Sequence, residues 1–122
     1  MNAYKLASVA GAFFGLTAVI TGAMGAHALE KVLSPDQLAS YETAVRFQMF
    51  HALLLLIMGN MDQRKENLFS WSVWAILIGT LLFSGSIYVL VLTPIKVGLI
   101  TPLGGTILII GWGILLIRAL KK

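Results

Sequence analysis

Near its start the chain contains 23 consecutive residues without a formally charged side chain, from Leu6 to Ala28. A helix rises ~1.5 Å per residue and the hydrocarbon core of a bilayer is ~30 Å thick, so this run is long enough to cross a membrane. Lys5 before the run and "AHA" at 26–28, which resembles a cleavage site, are also features of a secretory signal peptide. The run is long for a signal, and we therefore expect a retained membrane-spanning helix.

The rest of the chain has the same composition. Hydrophobic residues make up 58% of the 122 residues and charged residues 11%, whereas a soluble domain carries about a quarter charged residues. This composition indicates a membrane protein. The absence of cysteine excludes disulfides, thiolate catalysis and cysteine-ligated metals. The net charge of +4 is scattered over loops and ends, which favours a surface facing anionic lipid over a nucleic-acid partner.

Start and stop signals divide the chain into four helices. Ser34 is placed as an N-cap, with Pro35 at the first helical position and Gln37 completing a capping box. Thr101 and Pro102 have the same roles for the last helix. The predicted fold is all-α, an integral membrane four-helix bundle that forms a single domain over 1–122. The expected helices cover 6–28, 35–61, 68–93 and 102–120.

Basic residues predict the orientation. With four spans, both termini and the 61–67 turn share one side of the membrane. That side holds Lys5, Arg64, Lys65, Arg118, Lys121 and Lys122, against Lys31, Lys96 and Arg46 on the other. The positive-inside rule then places both termini in the cytoplasm. Three tryptophans are expected near the cytoplasmic interface: Trp71, Trp74 and Trp112.

Small residues recur at helical spacing. In lipid, such residues let two helix backbones approach closely, and packing must hold the helices together. The first helix carries them at spacings of 4, 3, 4 and 3 residues, with Ala18 in the middle of the row. The predicted packing glycines are Gly11, Gly15, Gly22, Gly25, Gly79, Gly85, Gly104, Gly105 and Gly111.

Helix two carries polar residues inside its apolar part. A helical wheel places Gln48 and His51 on the side that faces the bundle, with Glu42 and Arg46 as an ion pair at the interface. Counting ~1.5 Å per residue along each helix places polar residues of other helices at about the same membrane depth as His51. This depth is in the half of the bundle opposite the termini. Two readings stay open: hydrogen bonds that only join helices, or a ligand-binding or proton-handling pocket. The candidate pocket consists of His27, Gln48, His51, Ser84, Ser86, Tyr88 and Thr101.

His27 and His51 raise the question of a metal or haem pair. Two histidines without a nearby carboxylate are too few for a structural or catalytic zinc site. Their spacing does not place both rings in one cavity, as haem ligation would need. We therefore expect no metal and no cofactor.

Four short motifs occur together in this chain: "GAMGAHALEK", "RFQMFHALLLL", "LFSGSIYVLVLT" and "ITPLGG…GW". Their order and spacing resemble the YgdD/YwdK-like family of small bacterial inner-membrane proteins, a domain of unknown function with mitochondrial relatives. The resemblance covers nearly the whole chain and implies a four-helix membrane protein with no established activity. Phe47 and Phe50 replace tyrosines that are usual in that family. The pattern falls on Gly25, Ala26, His27, Ala28, Gln48, His51, Ala52, Phe83, Ser84, Gly85, Ser86, Tyr88, Thr101, Pro102, Gly104, Gly105 and Trp112.

Three classes of function remain to be compared. The first is a non-enzymatic structural or assembly component that binds lipid, a second copy or a larger membrane complex. The second is a small transporter or channel that uses the pocket around His51, Gln48 and Ser86, although the chain has no carboxylate within a span. The third, an enzyme with Ser84 or Ser86 as nucleophile, lacks an acid to orient the histidine. We expect the first.

Overall fold

The computed structural model describes residues 2–61 and 66–121, and four helices account for most of them. Helix α1 covers Ala3–Met24 and continues through a π-helical turn at Gly25–Leu29. Helix α2 covers Pro35–Gly59, α3 Asn67–Leu92 and α4 Ile100–Leu120. Within the described residues, three helices are long and apolar enough to cross a membrane, namely Ala3–Leu29, Asn67–Leu92 and Ile100–Leu120.

The predicted start of α2 is confirmed. The Ser34 hydroxyl accepts a hydrogen bond from the Gln37 backbone N–H, and the Gln37 side chain accepts one from the Ser34 N–H. The predicted start of α4 is wrong. The helix begins at Ile100, so Thr101 is already helical and does not cap it. The Thr101 hydroxyl instead reaches Ser86 on α3.

The four helices are arranged as two antiparallel hairpins, α1–α2 and α3–α4, that meet along α2 and α3. The α1 backbone also approaches that of α3, whereas in the described part of the chain no Cα atoms of α1 and α4 come within 8 Å of each other. These two helices therefore lie at opposite edges of the bundle. We call the end that holds residues 30–34 and 93–99 the connecting end, and the end that holds residues 2 and 121 the terminal end.

Glycines allow the close approach within each hairpin. A Cβ atom at Gly11 would lie 2.8 Å from the Ala52 carbonyl oxygen of α2. A Cβ atom at Gly104 would meet the α3 backbone, 2.9 Å from the carbonyl carbon of Leu82. Real Cβ atoms do not come this close, so both helix pairs require glycine there. Gly25, Gly79 and Gly111 lie similarly tightly against the side chains of Tyr41, Leu108 and Ile76.

The other predicted packing glycines are less constrained. A Cβ atom at Gly15, Gly22 or Gly105 would find its nearest neighbour at an ordinary contact distance of 3.4–3.9 Å. A Cβ atom at Gly85 would meet nothing within 4 Å. Gly85 was predicted to be a packing glycine, and this is wrong, because the residue lines the open space between α1 and α3.

The interior differs between the two ends of the bundle. The apolar core occupies mainly the terminal half, where Tyr4 stacks on Phe69 with ring centroids 4.1 Å apart and Leu55 and Ile76 are fully buried. The interhelical hydrogen bonds of Gln48, Ser84 and Ser86 lie toward the connecting end. Hydrophobic packing therefore joins the helices at one end, and polar side chains add to it at the other.

The basic residues and tryptophans used to predict the orientation are only partly described by the structure. Arg64, Lys65 and Lys122, which entered the charge count, lie outside the described residues. Trp71 is four residues after the start of α3 and is exposed, as an interfacial residue would be. Trp112 was expected near the cytoplasmic interface, but it lies near the middle of α4 and its indole contacts α2.

Candidate functional site

Gln48 is the centre of the polar half of the bundle. Its side chain is 6% exposed and joins three helices. The amide nitrogen donates to the Phe14 carbonyl oxygen at 2.9 Å and to the Thr17 hydroxyl at 2.6 Å, both on α1. The amide oxygen accepts the Tyr88 hydroxyl proton of α3 at 2.7 Å. The hydrogen-bonding atoms of this buried amide are therefore all used between helices.

Tyr41 and Tyr88 extend this network toward the connecting end. The Tyr41 hydroxyl donates to the Thr21 carbonyl oxygen of α1, and its ring lies 5.4 Å from that of Tyr88, centroid to centroid. The Thr21 hydroxyl lies 3.3 Å from the Tyr88 hydroxyl oxygen. Gly25, in the π-helical turn, leaves the space that the Tyr41 ring fills. The "GAHAL" motif therefore positions a tyrosine of α2.

His51 belongs to a separate contact, between α2 and α4. The Trp112 indole nitrogen donates to His51 Nε2 at 3.1 Å, and His51 Nδ1 lies 2.7 Å from the Phe47 carbonyl oxygen. An indole N–H can only donate and a carbonyl oxygen can only accept. These partners fix the neutral tautomer with the proton on Nδ1, and both ring nitrogens are occupied.

The serines of "FSGS" also join helices. The Ser84 hydroxyl donates to the Ala44 carbonyl oxygen of α2 at 2.8 Å. The Ser86 hydroxyl lies 2.5 Å from the Thr101 hydroxyl of α4 and 3.0 Å from the Phe83 carbonyl oxygen. Neither serine bonds to His51, so the arrangement has no nucleophile and base in contact.

The structure divides the seven predicted pocket residues among several places. Gln48 and Tyr88 are brought together, Ser86 and Thr101 are brought together, and His51 and Ser84 each have another partner. His27 is exposed in the π-helical turn and does not meet His51. The sequence suggested one pocket, whereas the structure has four separate hydrogen-bonded contacts, distributed over three helix pairs.

The predicted ion pair at the interface does not form. Glu42 and Arg46 are both exposed on α2. Across residues 2–61 and 66–121, the ion pair found is that of Arg118 on α4 with Glu66, at 3.2 Å. Arg118 also lies over the Phe69 ring, 5.3 Å from its centroid, and thereby joins the end of α4 to the start of α3.

Two open cavities border the contacts of Gln48 and His51, and a third, of about 420 Å³, is lined in part by Thr101. One, of about 290 Å³, lies between α1 and α3 with Gln48 at its floor. The other, of about 380 Å³, lies between α2 and α4 beside His51 and Trp112. In the part of the chain that the structure describes, no three His, Cys, Asp or Glu side chains come close enough to hold a metal ion.

Sequence reasoning missed the partners more than the polar residues themselves. Thr17 and Thr21 lie in an apolar helix and have no motif around them, yet both belong to the Gln48 network. Trp112 was expected at an interface and Arg118 among the lipid-facing charges. The spacing of residues along a helix predicts which face of the helix each residue occupies. Its hydrogen-bond partner on another helix depends on how the two helices are aligned, which the spacing does not give.

Residues 21–105 match the family described as protein of unknown function (DUF423). A UPF0382 membrane protein of Staphylococcus aureus is 46% identical to this chain over 118 residues, which are 96% of the chain and 97% of the relative. UPF0382 membrane proteins of Staphylococcus epidermidis and Staphylococcus haemolyticus are 42% identical over the same shares. No solved structure matches. The family resemblance of the motifs is thereby confirmed, and the chain belongs to the DUF423 family of UPF0382 membrane proteins.

Proposed function

We propose that this protein is a non-enzymatic, multi-pass component of the bacterial cell membrane that binds lipid and partner helices, with four spans and both termini in the cytoplasm. The observation that carries the proposal is the complete use of its buried polar atoms. Among the described residues, no buried side-chain nitrogen or oxygen is without a hydrogen-bond partner. Some of these groups bond between helices and others, such as Ser72 and Thr80, bond within their own helix, and polar groups paired in this way stabilise a bundle.

His51 is the side chain on which a proton-handling role would depend. Protonation of Nε2 would set its N–H against the indole N–H of Trp112, since both groups would then be donors. The observed pairing therefore favours a permanently neutral imidazole that connects α2 and α4. This supports a structural role for the residue in our proposal.

The fourth span in this proposal is α2. Hydrogen bonds and close contacts pair it with α1 from Gly25–Tyr41 at one end to Ser8–Gly59 at the other. A helix packed along the length of a membrane-spanning neighbour crosses the same thickness of bilayer. Gln48 and His51, in the middle of α2, are buried against the neighbouring helices and so are shielded from lipid, whereas the exposed Glu42 and Arg46 lie nearer its connecting end.

The edge helices offer the surfaces for lipid and partners. Their outward sides carry large apolar residues, with Leu16 62% exposed on α1 and Ile109 73% exposed on α4. Such faces are covered by acyl chains or by another transmembrane helix. A second copy or a larger membrane complex fits this surface. Nucleic acid does not, because the basic residues of the described part of the chain lie scattered near the helix ends.

Native mass spectrometry of the full chain released from membrane nanodiscs tests this proposal. We expect the protein to retain lipid or to appear as an oligomer or a complex, and in-membrane cross-linking should give the same assembly. A monodisperse monomer that carries neither lipid nor partner would contradict the proposal.

The cavity beside His51 favours a second candidate, a small transporter or channel. Its lining of Phe47, Pro102, Thr106 and Trp112 around the imidazole is open between α2 and α4. Proton-coupled transport needs a group that gains and loses a proton, and the paired imidazole is unsuited to this. We expect proteoliposomes containing the protein to show no proton flux above that of empty liposomes. Flux that His51→Ala abolishes would establish the transporter instead.

A further inference from the structure

An open groove runs between α1 and α3, where these two helices are held apart by α2. Gln48 of α2 forms the floor, and Gly85 of α3 contributes open space where any other residue would place a side chain. Both walls are helices apolar enough to cross a membrane. The groove therefore opens sideways into the hydrocarbon region and not into water.

The groove changes from polar to apolar along its length. Thr21 and Tyr88 line it nearest the connecting end, since Thr21 is eight residues before the end of the α1 segment and Tyr88 four before the end of α3. Phe13, Phe14 and Leu81 line it toward the middle of the bundle. At ~1.5 Å per residue the polar end lies roughly 6–12 Å below the helix ends, the depth at which headgroups give way to acyl chains.

Hydrogen-bond accounting at the polar end shows unused acceptors. The Tyr88 hydroxyl proton goes to the Gln48 amide oxygen, 2.7 Å away. The Thr21 hydroxyl lies 3.0 Å from the Thr17 carbonyl oxygen, so its proton is used there. Their two oxygens lie 3.3 Å apart, and in the arrangement in which Thr21 donates to the Thr17 carbonyl oxygen each of them keeps a free lone pair. A hydroxyl that approaches from the open side of the groove can share its proton between the two oxygens in a bifurcated hydrogen bond.

We propose that this groove binds one acyl chain of a membrane lipid that carries a free hydroxyl on its glycerol, as diacylglycerol does. The chain lies against Phe13, Phe14 and Leu81, and the hydroxyl donates to Thr21 and Tyr88. The lipid comes from the leaflet at the connecting end, because this orientation alone matches its polar and apolar parts to those of the groove. The inference rests on the lipid-binding part of the proposed function and gives it a site and a ligand class.

The size of the groove argues against a helix as the occupant. A helix with its side chains is ~10–12 Å across, whereas the cavity holds only about 290 Å³. An extended hydrocarbon chain can enter it from the bilayer without such a width. A second copy of the protein is therefore an outcome of the test and not the expectation.

Photo-crosslinking of the full chain in phosphatidylcholine vesicles tests the groove. The probe is a diacylglycerol with a diazirine in one acyl chain, and mass spectrometry locates the labelled residues. We expect labelling at Phe13, Phe14 and Leu81, and about a fivefold loss of it in Gly85→Leu, whose side chain fills the groove. The matched control is Gly113→Leu, which also introduces leucine where a Cβ atom meets nothing within 4 Å, but on the outward side of α4.

The hydroxyl is tested by a second pair of comparisons. A probe acetylated at its free hydroxyl should label the groove about fivefold less, as expected for a lost hydrogen bond. The Thr21→Val protein should be labelled to the same extent by the free probe as by the acetylated probe. Thr43→Val is its control, because Thr43 also bonds to the carbonyl four residues before it but lies outside this groove. These arms remain decisive if Gly85→Leu does not fold.

Several results would overturn the inference. Equal labelling of the wild type, Gly85→Leu and Gly113→Leu would show general contact with lipid and no site. Equal labelling by the free and acetylated probes would contradict the proposed hydrogen bond of the lipid hydroxyl to Thr21 and Tyr88. Crosslinks between two copies through Phe13 or Leu81 would assign the groove to an oligomer. Each of these leaves native mass spectrometry of the wild type able to show retained lipid, so failure here is distinct from failure of the proposed function.

Discussion

Gln48 is the residue whose chemistry best explains the polar half of this bundle. A neutral amide has two donors and one acceptor oxygen, and here both kinds are used to reach α1 and α3 at once. In lipid a buried amide without partners would cost several kcal/mol, so its partners are as necessary as the residue. A charged residue at the same place would need a counter-charge that the described part of the chain does not supply.

Replacing Gln48 by leucine should destabilise the fold by about 1–2 kcal/mol, because Tyr88 loses its acceptor and Thr17 its donor. The measurement is the unfolding of purified protein in mixed micelles as SDS is added, followed by circular dichroism. Thr43→Val is the control, since it removes only a bond within α2, and should change stability by less than about 0.5 kcal/mol. Equal effects of the two changes would contradict the central role of Gln48.

The pairing of His51 predicts its tautomer. Nitrogen-15 NMR of membrane-embedded protein labelled at histidine should show a neutral ring of residue 51 with the proton on Nδ1, because Trp112 donates to Nε2. Trp112→Phe should expose Nε2 and shift its resonance, whereas Trp71→Phe, at an exposed position near the start of α3, should leave it unchanged. A ring protonated on Nε2, or a charged ring at neutral pH, is incompatible with the structure.

At the scale of the helix, small residues decide how near two axes come. The first helix carries a row of small residues, but only some of them are at a close crossing. Gly11 lies under the backbone of α2, while Gly15 has a neighbour only at 3.9 Å. The sequence therefore predicted the interface but not the crossing point, which depends on the relative rotation and shift of two helices.

Alanine substitution separates crossing glycines from the others. Gly104→Ala should destabilise the protein by about 1–3 kcal/mol, because its Cβ atom would meet the α3 backbone at Leu82 and Phe83. Gly113→Ala should be neutral or stabilising by up to about 1 kcal/mol, since its Cβ atom meets nothing within 4 Å and alanine is the better helix former. Unfolding in SDS compares the stability of the two variants. A Gly104→Ala protein as stable as the wild type would contradict the close approach of α3 and α4 at this residue.

For the whole molecule, the sequence predicted the all-helical membrane class and the start of α2 correctly. The membrane class follows from the low content of charged residues and the length of the apolar runs. The start of α2 follows from a local pattern of serine, proline and glutamine. The site was less predictable. The wheel placed His51 inward, where it is 6% exposed, but its bond to Trp112 on α4 spans 61 residues of chain and follows from tertiary packing alone.

The number of spans is the property of the whole molecule on which the account depends most. The four-span arrangement puts Asn60 and Lys121 on one side of the membrane and Lys96 on the other, whereas an α2 that stayed at the surface would reverse all three. Because the chain has no cysteine, one cysteine at a time can be introduced there without removing another. Labelling with a membrane-impermeant maleimide then reads the side of each position.

We expect Lys96→Cys to react in intact spheroplasts, and Asn60→Cys and Lys121→Cys to react only after the membrane is opened. Lys31→Cys, in the connection between α1 and α2, is the control that should react from outside in either arrangement. Reaction of Asn60→Cys and Lys121→Cys in intact spheroplasts, with Lys96→Cys protected, would contradict the four-span bundle and the membrane role proposed from it.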